Sequence, residues 1–150
     1  MTSASLLQQT RPLLLRLTDG MSDAQLLAVP PGFSNNILWN LGHLVVTQQL
    51  LHYALSGLPM YVSDELVAQC RKGTSPAGWA SPPDAGEVRS LLTELPDRLV
   101  ADLEAGRFAT FRPYETSVGV GLPDLETALD FNLFHEGLHT GTILALRKAV

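Results

Sequence analysis

Three histidines in this 150-residue chain have the type and spacing to hold a transition metal. His135 and His139 are four residues apart. On a helix they stand one turn above the other, with Cβ atoms about 6 Å apart, and can chelate one ion together. His43, distant in sequence, could supply a third ligand from across a core. Neutral imidazoles suit Zn²⁺, Ni²⁺, Fe²⁺ or Cu²⁺, whereas Mg²⁺ and Ca²⁺ prefer oxygen. Three protein ligands also leave one coordination position open, as in reactive rather than structural zinc sites. The expected cofactor is therefore one divalent transition metal, zinc or nickel foremost. For any one buried histidine the competing reading is a hydrogen-bonded core residue, and the i, i+4 pair is what favours the ligand reading.

Angular placement at ~100° per residue gives the pattern around these rings. With His43 at zero, Asn36, Thr47 and Asn40 fall within about 60° on one side, flanked by Leu50, Trp39 and Val46. With His135 at zero, Thr142, His139 and Asn132 fall within about 60°, between Phe131 and Leu138 on one side and Leu125 and Ile143 on the other. A narrow polar strip framed by large apolar side chains is expected to face the interior. An unpaired polar group there costs on the order of 1–3 kcal/mol, and a shared metal is one economical partner for three imidazoles. Asn36, Trp39, Asn40, Thr47 and Asn132 are expected beside the ligands or against a substrate, although Trp39 and Phe131 read first as core packing. His52 falls near 180° from His43 and is expected at the surface or in an interface.

His135-Glu-Gly-Leu-His139 also matches the zinc-protease pattern H-E-x-x-H. Only eleven residues follow His139, Ala145 stands where the longer pattern needs a third histidine, and no glutamate lies downstream. Glu136 is instead expected as a supporting or interface residue, with general base as a minor alternative. Gly73-Thr-Ser75-Pro-Ala-Gly78 misses the nucleophile elbow G-x-S-x-G by one residue. Gly119-Val-Gly121 lacks the third glycine of a dinucleotide fingerprint. Cys70, beside Arg71 and Lys72, reads as an ordinary free thiol, the alternative being a thiol acidified by those cations.

The elements that must position these residues read as helices. The first runs from about Ser3 to Thr18, with Pro12 expected to kink it or to mark a late start. Residues 22–32 form a connector with room for one short turn. A second helix, capped by Ser34 or Asn35, continues to Ser56. Residues 57–82 form an irregular crossover holding a short helix near Asp64–Arg71. The third helix, capped by Ser81, runs to about Ala105 with a bend at Pro96, and a loop follows over residues 106–122. The fourth opens at Pro123-Asp124 and runs nearly to the end. No segment alternates with period two, so the expected fold is all-α, a four-helix bundle in one domain over residues 1–150.

Composition narrows the function classes. Apolar residues make up 45% and charged residues 17%, which favours a packed core over disorder. Ten cations against fifteen acids give a net charge of −5, a poor footprint for nucleic-acid binding. No apolar run approaches the ~18 residues of a membrane span, and no basic leader opens the chain, so a cytoplasmic protein without membrane or nucleic-acid partners is expected. One cysteine excludes an internal disulfide.

Asn36-Ile-Leu-Trp39-Asn-Leu-Gly-His43-Leu resembles the second-helix signature of the DinB-like (DNA-damage-inducible) superfamily. Phe134-His135-Glu-Gly-Leu-His139-Thr-Gly141 resembles its last-helix signature, and Met21-Ser-Asp-Ala-Gln-Leu-Leu agrees as well. Thr142 departs from the glutamine common in relatives. The resemblance implies an up-up-down-down bundle, often homodimeric, with a divalent metal on His43, His135 and His139. It further implies thiol-dependent transfer or isomerisation with a low-molecular-weight thiol. Two functions are therefore expected to compete: a metal-dependent thiol S-transferase, and a non-catalytic stress-related protein in which metal and bundle serve assembly. Apolar residues around nearly the whole second helix suggest a homodimer through it.

Overall fold

The computed structural model describes residues 1–150 and is mostly helical. Its helices are α1 (Ser3–Leu17), α2 (Asp23–Leu27), α3 (Ile37–Gln49), α4 (Asp64–Cys70), α5 (Ala85–Glu104) and α6 (Leu125–Ala149). A short antiparallel hairpin, β1 (Tyr114–Glu115) with β2 (Gly121–Leu122), occupies the expected 106–122 loop. Period-two patterning could not reveal strands of two residues.

Each helix starts where a side chain can satisfy the free N–H groups of its first turn. Thr2 and Ser22 do so in reciprocal capping boxes, and Ser63, Asp84 and Asp124 as single caps. Three caps differ from the sequence reading: α3 is capped by Asn36 rather than Ser34 or Asn35, α5 by Asp84 rather than Ser81, and α6 by Asp124, with Pro123 just outside. Pro12 and Pro96 lie inside α1 and α5, which continue past them. The second long helix changes pitch near its end. Leu50–Ala54 form a π-helical turn closed by the Leu55 N–H on the Leu50 carbonyl, and Gly57 at φ +70° stops the helix.

Among the long helices, α1 and α3 each pack against both α5 and α6, while α2 and α4 add to the cover of α3. Leu14, Leu41, Leu44, Val45, Leu92 and Ile143 meet in the main core. Twelve of the thirteen residues of α3 are buried within this single chain. The apolar circumference that suggested a second subunit is thus covered by the chain's own elements, and this helix offers no free face. His52, expected at the surface or in an interface, is fully buried within the chain, because the π-turn that carries it packs against α6.

α3 and α4 pack closely at Gly42, against the Cys70 side chain. A Cβ at Gly42 would stand 2.5 Å from the Cys70 sulfur and 3.3 Å from its Cβ. Gly42→Ala is expected to destabilise the fold by about 1–3 kcal/mol through overpacking, and adding Cys70→Ala should recover part of that loss in urea unfolding.

Burial pushes the pKa of His52 down to about 3, so it is neutral in the folded chain. The unfolded chain takes up this proton near pH 6.5, and the stability tied to the neutral ring is lost as pH falls from there towards 3. His52→Leu should remove about 1.4 kcal/mol per pH unit from the slope of stability in that window, measured by urea unfolding of metal-free protein.

Candidate metal centre

Three ring nitrogens, from His43 on α3 and His135 and His139 on α6, lie within 4.8 Å of one another. The ring centroids are 5.0 Å apart for His43–His135, 4.7 Å for His43–His139 and 4.5 Å for His135–His139. His43 is nearly buried, and the two α6 rings are half-buried.

Local hydrogen bonds fix which nitrogen of two rings carries the proton. The His43 Nδ1–H donates to the Cys70 carbonyl at 2.8 Å, so its Nε2 keeps a lone pair. The Asn40 amide is oriented by donating Nδ2–H to the Asn36 carbonyl at 2.7 Å. Its Oδ1 is therefore left to accept Nδ1–H of His139 at 2.8 Å, and His139 also presents a bare Nε2. His135 Nε2 lies 3.2 Å from His43 Nε2, while its buried Nδ1 has no partner. Two nitrogens bound at ~2.0–2.1 Å to one tetrahedral ion would stand roughly 3.3 Å apart, so this pair already has the right separation. Backbone and amide acceptors behind metal-binding imidazoles are the usual support of such sites. The donor set fits a divalent transition metal.

Burial keeps the rings neutral, as ligands must be. It holds His43 below its ordinary pKa, against the opposing pull of the Cys70 carbonyl. Burial, then the neighbouring His139, His43 and Arg11, pushes His135 down to about 3. Burial followed by His43 brings His139 to about 4.

The other expected site residues separate into distinct roles. Trp39 stacks on His43 with centroids 4.6 Å apart and planes 10° from parallel, and its indole N–H donates to Thr74 on the crossover. Thr47 places its hydroxyl 3.4 Å from His43 Nε2. The Asn36 side chain does not join the site: Oδ1 caps the Trp39 N–H and Nδ2 donates to the Leu27 carbonyl. Asn132 is wholly buried with both amide atoms unpartnered. The Thr142 hydroxyl donates to its own helix at the Leu138 carbonyl. Leu138, expected to frame an inward strip, is 52% exposed. The most buried face of α6 is instead set by Ala128, Asn132, Glu136, Ile143 and Leu146.

Glu136 is oriented that way by Arg11. Its two carboxylate oxygens accept Arg11 Nε–H and Nη2–H at 2.7 Å each, and Arg11 is fully buried. With both oxygens engaged by a buried guanidinium, Glu136 is not placed as the base of a protease-like site. Arg11 was missed in the sequence although a signal existed: it shares one helical stripe with Leu7 and Leu14. Cys70 is buried, and burial pushes its thiol up to about 12, opposite to any acidification by Arg71 and Lys72.

A cavity of about 320 Å³ opens beside His43 and His135. It is walled by the π-turn, α6 and the hairpin, with Lys72 and Arg112 among its lining residues. The two cations were not singled out in the sequence, because only folding brings them to one cavity.

A family model described as the DinB superfamily matches residues 6–143. No curated protein matches the chain.

The Asn36–Asn40–His139 relay has a direct signature. In ¹⁵N NMR of metal-free protein His139 should be the Nδ1–H tautomer, and in Asn40→Ala, with that acceptor gone, the two tautomers should mix.

Proposed function

Because the chain belongs to the DinB superfamily, we propose that it is a metal-dependent enzyme that activates a low-molecular-weight thiol for transfer to a second substrate. His43, His135 and His139 would hold one divalent transition metal, zinc or nickel. The observation that carries this reading is the convergence of three neutral imidazoles, two of them with Nε2 lone pairs set by acceptors behind the ring.

A metal held there would supply Lewis acidity and favour the thiolate form of a thiol near neutral pH. The protein's own contribution is positioning. The Cys70 carbonyl and Asn40 hold two rings by their Nδ1–H groups, and Trp39 fixes the plane of His43. The apolar walls of the cavity displace water from one side of the centre, which strengthens electrostatic interactions there. Cys70 itself is unsuited to be the nucleophile, being buried and held protonated.

Protein purified without a histidine tag or chelator should contain about one transition-metal ion per chain by elemental analysis, and His139→Ala should reduce this to background. Metal-dependent turnover with a panel of thiols and electrophiles is the expected activity. A wild-type protein that arrives metal-free and takes up neither Zn²⁺ nor Ni²⁺ in titration refutes the reading.

A further inference from the structure

The cavity beside the histidines has an unusual charge for this chain. The protein carries a net charge of −5, yet Lys72 and Arg112 line the cavity and no carboxylate does. Neither cation is neutralised within the fold, since the side-chain ion pairs are Arg11–Glu136 and Arg107–Asp102.

Arg112 is anchored through its backbone to an element that builds the site, and Lys72 lies close in sequence to another. The Arg112 N–H donates to the Leu55 carbonyl at 2.7 Å, and the neighbouring Thr110 hydroxyl donates to the Ser56 carbonyl at 3.0 Å. Residues 110–112 are thereby tied to the end of the helix that carries His43. Lys72 follows Cys70, whose carbonyl accepts from His43, by two residues. The rest of the lining is dominated by apolar side chains such as Leu51, Leu55, Phe131 and Phe134. The volume of about 320 Å³ lies near the lower end of ligand sites and holds roughly ten waters' worth of material, the bulk of an eight-carbon fatty acid.

We propose that this cavity takes a small amphipathic organic anion, with its apolar body against Leu51, Leu55, Phe131 and Phe134 and its anionic group at Arg112 and Lys72. The proposal names the class of second substrate for the reaction proposed above and rests on that reading for the substrate role, while the anion site itself rests on the cavity. An arginine fork can meet a carboxylate with two parallel N–H donors, and the lysine adds a point charge. The apolar walls reward burial of the hydrocarbon.

The test compares octanoate with neutral octan-1-ol by isothermal titration at low ionic strength. The proteins are wild type, the Lys72→Gln/Arg112→Gln double variant and His139→Ala. Octanoate should bind wild type about tenfold more tightly than octanol, an advantage that shrinks with added salt. The advantage should vanish in the double variant, with octanol affinity unchanged, and should persist in His139→Ala. Equal binding of octanoate and octanol by wild type overturns the proposal. So does an advantage that survives in the double variant but disappears in His139→Ala, which would assign the anion to the metal and leave the metal-centre reading intact. An advantage that follows the two cations in protein shown to bind no metal upholds the anion site while the metal reading falls.

Discussion

A helix buried on nearly every side must find an internal partner for each polar group it carries, or accept a cost of one to several kilocalories for each one left bare. α3 carries Asn40, His43, Gln48 and Gln49 out of water, and their partners come from different neighbours. His43 donates to α4 at Cys70, Asn40 accepts from α6 at His139, and Gln48 donates to α5 at the Leu95 carbonyl. The Gln49 side-chain carbonyl accepts the Tyr61 N–H of the crossover. These bonds leave Gln48 Oε1 and Gln49 Nε2 without a partner, and they dock the elements around the helix. The three-histidine cluster is one product of that docking, because two of its rings are held by the same set of bonds.

The Arg11–Glu136 pair does the corresponding work on the other side of α6. Two charges are taken out of water together, and the arrangement is tolerable because both carboxylate oxygens and two nitrogens of the guanidinium are engaged, Nη2 also reaching the Leu44 carbonyl. Losing either partner would leave an uncompensated buried charge. The pair therefore fixes the rotation of α6, directing Glu136 inward and leaving His135 and His139 at the edge of the buried face. That rotation explains why a helix with the letters of a zinc-protease motif lacks its catalytic arrangement: the glutamate serves the fold.

A division of labour follows along the chain. Long helices hold the imidazoles, whose placement must be accurate to fractions of an ångström for metal binding. The crossover and the hairpin, free of that demand, supply the side chains that shape and charge the adjoining cavity. Lys72 and Arg112 belong to these connections, as do Thr116 and Val118 on the hairpin side of the cavity.

The helical class, the approximate reach of the long helices and the three histidines are legible in the amino-acid pattern. Each is a local property, read from apolar spacing near 3.6, from cap residues and prolines, and from an i, i+4 pair. How each helix is rotated, and so which polar residues meet, depends on packing across the whole fold. His52 is buried because the π-turn holds it against α6, Asn36 became a cap, and Glu136 turned towards Arg11. The Cys70 carbonyl behind His43 could not be read from any pattern, because every residue offers a backbone oxygen and only packing selects one. The physical reason is range: propensity and periodicity act over a few residues, whereas Arg11 and Glu136, or Asn40 and His139, become neighbours only when burial leaves their polar atoms no water to turn to.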